Sequence, residues 1–279
     1  MTGATGHLGA NILSHLRTRN ALKHLVLGAR DPSQLAPGAL PARRVDYDDI
    51  GSMREAFAGV SDLLLISSNA AHHVRRRQHA AAVDIAAEAG VNRIVYTSFV
   101  GADRPGTNEL LEVHHATERK LRESGVPWVA LRNGVYMDSL PRFLGPFRET
   151  GVVAHPTGDA PVAWTSRADI AALTADILLD GSVRNQVIDV ASSQPRSFPS
   201  IVQEVATSTG QRVALVQPTE DEYRAMLGRA GLDQDTVEIF SAVCRAMREG
   251  QLNVSSHVFE SRLGRSPESV STYLARAEL

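Results

Sequence analysis

The residues with the most evident chemistry stand at the front of the chain. Thr2-Gly3-Ala4-Thr5-Gly6-His7-Leu8-Gly9 places glycines at positions 3, 6 and 9, directly before a helical pattern. A tight turn, and an approach of backbone to phosphate closer than a Cβ allows, both call for glycine. The helix behind then turns free N–H groups and the positive end of its dipole toward an anion. A glycine-rich turn at a helix start would look the same in isolation. What favours the phosphate reading is the long strand–helix alternation that follows. Further on, where a dinucleotide-binding chain meets the adenosine ribose, the sequence reads Leu27-Gly28-Ala29-Arg30-Asp31. A guanidinium at a strand end can grip a 2′-phosphate with two N–H groups and stack on adenine. Arg30 therefore predicts NADP(H) as the preferred cofactor, with Asp31 leaving NAD(H) admissible. The alternative is an arginine that merely faces solvent.

Such a loop needs a sheet to hold it. Strand-like runs are predicted at His24–Leu27, Arg43–Asp46, Asp62–Ser67, Arg93–Ser98 and Trp128–Arg132, with helical stretches at Leu8–Thr18, Gly51–Phe57, Arg75–Ala89 and Glu109–Ser124. Leu63 to Ile66 is apolar without a break, as in a parallel strand covered by helices on both faces. The alternation predicts a Rossmann-type, doubly wound parallel sheet of α/β class. Only Met1 and Thr2 precede the glycine loop. Either the natural start lies upstream, or the first strand is a stub that gives up central ladder bonds. After about Pro141 the rhythm weakens, with a strand near Gly158–Val162, a helix at Arg167–Leu179 and a strand at Gln186–Ala191. From Phe198 onward the chain reads as mostly helical. The expected domains are therefore a cofactor-binding part at 1–140, joined by 152–190, and a smaller substrate-binding region at 141–151 and 191–279.

Together the strings TGATGHLG, LGARDP, VDYDD, LLLISS, AAEAGVNRIVYTS, ERKLRESGVPWVALRNGVY and TSRADIA resemble the NmrA-like, atypical short-chain dehydrogenase/reductases, and most of all the bacterial NAD(P)H:quinone oxidoreductases of that group. The resemblance runs from residue 2 to about residue 180 and continues more faintly beyond. It implies that Gly3, Ala4, Thr5, Gly6, His7 and Leu8 wrap the pyrophosphate and that Arg30 meets the 2′-phosphate. By the same resemblance, Asp46 and Tyr47 lie near the adenine, Ser67 and Ser68 border the ribose, and Thr97 and Ser98 approach the nicotinamide. Asn133, Gly134, Val135 and Tyr136 would line the nicotinamide pocket. Ser67, Ser68, Thr97 and Ser98 also suit a plainer role, capping the segments after their strands.

The wider family's Tyr-x-x-x-Lys pair is absent. Aligned on it, His114 takes the tyrosine position and Glu118 the lysine position, one turn apart on a helix face. His114 would then serve as a general acid, its charge favoured by Glu118, or the two make an ordinary helix pair. Ser139 stands where the quinone reductases of the group carry asparagine. The candidate proton-handling residues are thus His114, Tyr136 and Ser139.

The rest of the sequence narrows the classes. A net charge of −2 over 279 residues gives no field to recruit nucleic acid or an anionic membrane. No apolar run approaches a membrane span. The lone cysteine, Cys244, reads as a buried helix position and suits a reducing, cytoplasmic setting. His72 and His73, beside Arg75, Arg76 and Arg77, lack the converging ligands of a metal site, and the basic stripe reads as a solvated face. Asp169 reads as a helix-end charge. The glycine loop and Arg30, with what the resemblance implies, lead to the expectation of an NADPH-dependent oxidoreductase passing hydride to a quinone or similar conjugated carbonyl, with a small-molecule substrate and a homodimer admissible. A non-catalytic NAD(P)-binding redox sensor is the competing reading, and a tailoring enzyme for an aromatic product a third.

Overall fold

The computed structural model describes residues 1–35 and 40–277, so residues 278 and 279 of the expected C-terminal region lie outside the described residues. The chain gathers into two units. The first comprises Met1–Phe99, Val113–Arg132 and Arg167–Ile188, and the second Val100–Glu112, Asn133–Ser166 and Asp189–Leu279.

The first unit is built on parallel strands: β1 (Leu27–Ala29), β2 (Ala42–Arg44), β3 (Asp62–Leu65), β4 (Arg93–Phe99) and β5 (Trp128–Asn133). β3 pairs with β4 from Asp62↔Arg93 to Leu65↔Tyr96, and β5 and the strand Gln186–Val190 extend that sheet. β1 and β2 form a separate parallel pair. Met1 and Thr2 lie between the two ladders. Gly28 N–H donates to Met1 O at 2.7 Å, and Thr2 N–H donates to Leu64 O at 2.9 Å. Two residues thus fill the slot of the expected first strand. β1 starts later than the sequence suggested because Leu25 N–H turns back to Leu22 O and the fully buried triplet is Leu27–Ala29.

Four helices flank these strands: α1 (His7–Thr18), α2 (Ile50–Phe57), α3 (His72–Glu88) and α4 (Glu109–Glu123). The two periodicities explain the core. Leu63 and Leu65, with Ile94 and Tyr96, share one face by the two-residue repeat of a strand. They pack on Met53 and Phe57 of α2, Ala82, Val83 and Ala86 of α3, and Leu121 of α4, which recur at helical spacing. Each such leucine or phenylalanine contributes roughly 1.5–3 kcal/mol by leaving water. α1 buries Leu8, Gly9, Ile12 and Leu16 and packs along the helix Arg167–Leu179. That helix is held at its carboxyl end by a buried side chain of β4. The Arg93 guanidinium donates to Leu178 O at 2.8 Å and Asp180 O at 2.7 Å, reaches Ile177 O and Val183 O at longer range, and pairs with Asp62 at 2.6 Å. It thereby satisfies last-turn carbonyls that have no partner within the helix.

The second unit centres on aromatic packing. Phe143 meets Trp164, Phe198 and Phe240 edge-on. His155 is enclosed among Phe143, Phe198 and Tyr223, with its Nε2 3.0 Å from the Tyr223 hydroxyl. Burial depresses its pKa to about 3. Cys244 packs against the same ring, and burial pushes its thiol up to about 12, so it is a packing thiol and not a nucleophile. Val135–Tyr136 pairs in parallel with Trp164–Thr165.

Candidate functional site

The glycine loop leads straight into α1. Gly3 adopts a φ of +61°, a conformation that disfavours any side chain, and a Cβ on Gly9 would stand 2.2 Å from Gly3 O. Thr5, Gly6 and His7 are exposed, whereas Ala4 and Leu8 are buried. Gly6 caps α1 without a side-chain bond, and the first turn carries no acid. The N–H groups of His7, Leu8 and Gly9 find no acceptor among the described residues. This is an open, uncapped helix terminus of the kind that takes an anion.

Arg30, just past β1, is exposed and makes no ion pair among the described residues. Asp31 is used locally: its carboxylate accepts from Ser33 N–H at 3.0 Å, the Ser33 hydroxyl at 2.6 Å and Gln34 at 3.2 Å. These bonds hold its carboxyl below the usual range. The two neighbours therefore differ in what they can offer a ribose or its phosphate. Arg30 is uncommitted and Asp31 is not. Asp46 accepts from Asp48 N–H and pairs with Arg44 at 3.2 Å. The Tyr47 hydroxyl points inward, within 2.7 Å of Thr2 Oγ1 and 2.6 Å of Ile66 O. Burial raises its pKa, so it stays a neutral stitch between loop and sheet.

The carboxyl ends of β3 and β4 meet beside the loop. Ser67 N–H donates to Thr97 Oγ1 at 2.9 Å, which leaves the Ser67 hydroxyl and the Thr97 proton unspent. Ser68 is fully engaged: its hydroxyl donates to Gln78 Oε1 at 2.6 Å and its N–H to His79 Nε2 at 3.2 Å. The Ser98 hydroxyl donates to Glu118 Oε1 at 2.7 Å, inside the packing between β4 and α4. Of the four hydroxyls expected to meet the cofactor, those of Ser67 and Thr97 donate to no acceptor among the described residues.

His114 is buried on α4, stacked against Phe99. Its Nε2 lies 3.2 Å from Arg75 Nη2 and its Nδ1 2.8 Å from the Tyr96 hydroxyl. Glu118, expected to favour charge on this ring, is committed elsewhere. Besides the Ser98 hydroxyl, it accepts two bonds of 2.8 Å from Arg132 and a longer one from Arg122. The cation facing the ring is instead Arg75, and burial followed by that charge holds the His114 pKa well below its ordinary value. The ring is neutral at physiological pH, which corrects the expectation of a charge-favoured acid. Arg75 corrects a second expectation. Only Arg76 and Arg77 of the basic stripe face solvent, because Arg75 lies on the buried side of α3 with Gln78 and His79.

Asn133, the last residue of β5 and the first of its segment in the second unit, is buried, and neither atom of its amide finds a hydrogen-bond partner among the described residues. Buried amides are rarely left so, and Asn133 is therefore poised for a group outside the chain. Gly134 beside it has no room for a side chain, since a Cβ would stand 2.5 Å from Ala163 O. Val135 N–H donates to the same carbonyl at 2.8 Å. Tyr136 and Ser139 are half-buried, and Ser139 precedes the short helix Leu140–Leu144 without capping it.

The family described as NAD(P)H-binding matches residues 3–181, more than half of the chain. The chain belongs to the NAD(P)H-binding, NmrA-like family. Within it, quinone oxidoreductase 2 of Escherichia coli is 30% identical over 244 residues, covering 86% of this chain and 85% of that one. An NmrA-like family domain-containing oxidoreductase of Aspergillus flavus is 28% identical over 279 residues, covering 96% and 90%. The crystal structure of the E. coli quinone oxidoreductase with NADPH matches with a TM-score of 0.88 at 28% identity, over 98% of this chain and 97% of that chain. Triphenylmethane reductase of Citrobacter sp. with NADP(H) matches at 0.87 and 28%, over 99% of each. The named relatives are oxidoreductases, and the chain belongs to an NAD(P)H-dependent oxidoreductase family. The open α1 terminus, the Gly3–Gly9 contact and the uncommitted Arg30 fit the phosphates of that cofactor.

Proposed function

We propose that the chain reduces a quinone, or a similar small conjugated carbonyl, at the expense of NADPH. The observation that carries the cofactor choice is the contrast at the end of β1, where Arg30 makes no ion pair among the described residues and Asp31 is tied to Ser33 and Gln34. The substrate class rests on the relation to the E. coli quinone oxidoreductase. Bound NADPH supplies the hydride. The α1 terminus would hold the pyrophosphate, Arg30 the 2′-phosphate, and Ser67 and Thr97 would meet the nucleoside on the β3–β4 side. With His114 neutral and bonded on both nitrogens, the proton that completes the hydroquinone comes from water, and the chain's own task is to orient and to exclude competing solvent.

The test is NADPH oxidation followed by absorbance with a simple benzoquinone, in wild type and Arg30→Ala. A charge-assisted bond of this kind is worth about 1.5–3 kcal/mol, so KM for NADPH should rise about 10- to 100-fold, with kcat and the response to NADH little changed. Binding of NADPH without turnover on any quinone or enone would establish the redox-sensor reading in its place.

A further inference from the structure

A set of buried polar groups in the first unit is used by neither loop nor proposed chemistry, and its hydrogen-bond directions can be assigned from donors that have no choice. Ser68 N–H can only donate, so His79 Nε2 accepts and the neutral ring carries its proton on Nδ1. The Thr117 hydroxyl gives its own proton to Val113 O at 2.8 Å and so receives that of His79 Nδ1 at 3.1 Å, with the Tyr96 oxygen 3.2 Å from the same nitrogen. Arg75 likewise can only donate, so His114 Nε2 accepts and its Nδ1 proton also points at the Tyr96 oxygen, 2.8 Å away. His79 and Tyr96 are fully buried, and burial, then the Arg75 charge, lowers the pKa of His79 to about 3. Its tautomer is thus fixed from both sides.

What this ring holds is the turn after β3. A Cβ built on Gly3 would stand 3.3 Å from Ile66 Cβ, so that turn flanks the phosphate loop. A doubly wound sheet binds one nucleoside on each side of its switch point. Arg30, past β1, marks the adenosine side, and Ser67–Ser68, past β3, lie on the other. We propose that His79 is a positioning residue for the nicotinamide half of the cofactor, acting through the Ser68 backbone N–H and hence on the placement of the Ser67 hydroxyl. The inference rests on the cofactor-site reading given above.

The experiment compares calorimetric binding of NADPH with that of adenosine 2′,5′-bisphosphate, which carries the adenosine and 2′-phosphate but no nicotinamide. His79→Leu leaves the Ser68 N–H buried without an acceptor and should weaken NADPH about tenfold or more, while the bisphosphate binds as to wild type. His79→Gln, which restores one acceptor and one donor, should regain most of the lost affinity. Unchanged NADPH binding in His79→Leu, or equal loss of both ligands, overturns the proposal. Should His79→Leu not fold, Tyr96→Phe removes an acceptor of the His79 proton at constant ring size. It should give the same split at smaller amplitude, and equal loss again overturns the proposal. A wild-type protein that fails to prefer the bisphosphate over adenosine 5′-monophosphate overturns the cofactor-site reading itself, and this inference with it.

Discussion

Replacing Gly9 by alanine adds one methyl group to a buried helix position, and the structure says where it goes. The new Cβ would stand 2.2 Å from Gly3 O and 3.0 Å from Gly3 C. Ordinary contacts to carbon fall near 3.5 Å or beyond, so helix and loop must part by roughly 1 Å. The obstacle is backbone and has no rotamer to escape into. Overpacking of this kind costs about 1–3 kcal/mol, against a gain of up to about 1 kcal/mol from exchanging glycine for alanine inside a helix. Net stability should fall slightly. The larger effect should be on the cofactor, because the carbonyl that moves belongs to the loop whose neighbouring N–H groups face the pyrophosphate. A loss of about 2–3 kcal/mol there corresponds to a 30- to 150-fold rise in Kd for NADPH, readable by quenching of protein fluorescence. The matched control is Gly228→Ala in the helix Glu220–Arg229, where a Cβ meets nothing within 4 Å. That variant should gain about 0.5–1 kcal/mol and leave NADPH binding alone. Wild-type affinity in Gly9→Ala would refute the assignment of this loop to the pyrophosphate.

Two further outcomes concern stability. Arg93→Met should strip the carbonyls of Leu178 and Asp180 of their donor. Breaking a buried charged network by removing one partner costs about 3–5 kcal/mol, a fall in Tm of roughly 10 °C for a chain of this size, and a change under about 2 °C would show the network to be dispensable. His79 and His155 are both held neutral, with pKa near 3 against an ordinary 6.5. The unfolded chain therefore takes up protons first as pH falls. The stability they confer is complete above 6.5 and is lost progressively on the way down to about 3. Unfolding free energies from urea titrations between pH 7.5 and 4 should be level above 6.5 and fall below it by about 1.4 kcal/mol per pH unit for each histidine. His155→Gln should flatten the slope by one histidine's share, and a flat wild-type profile would contradict the burial of these rings.

The sheet was legible because its signal is local. Leu63 to Leu65, and Ile94 with Val95, are apolar in sequence and fully buried in the structure. The loop was legible for a similar reason, since its glycines serve contacts within a few residues of one another. The inward placement of Arg75 does have a sequence signature. Positions 75, 78, 79, 82, 83 and 86 recur at helical spacing and are all buried, so the period of the helix outweighs the outward preference of a charge. His114 and Glu118 do share a helix face, as their spacing required. What the spacing did not carry is that Glu118 meets Arg132 on β5, 14 residues away, or that Arg75 takes the place beside His114 from another helix, 39 residues away. Partners fixed by tertiary packing leave no period in the sequence.

The Arg93 cap also bears on how the chain comes off the ribosome. Its acceptors lie 84 to 90 residues downstream, and the helix they belong to is the one that covers α1. The first unit closes only with its third segment, Arg167–Ile188. Until that segment has been synthesised, α1 carries an uncovered apolar face and Arg93 has no carbonyls to bind. Assembly of this unit is therefore late and dominated by distant contacts, the regime in which folding is slow and a nascent chain is most prone to aggregate. A fragment ending after β5 would stop short of the last elements its own sheet requires.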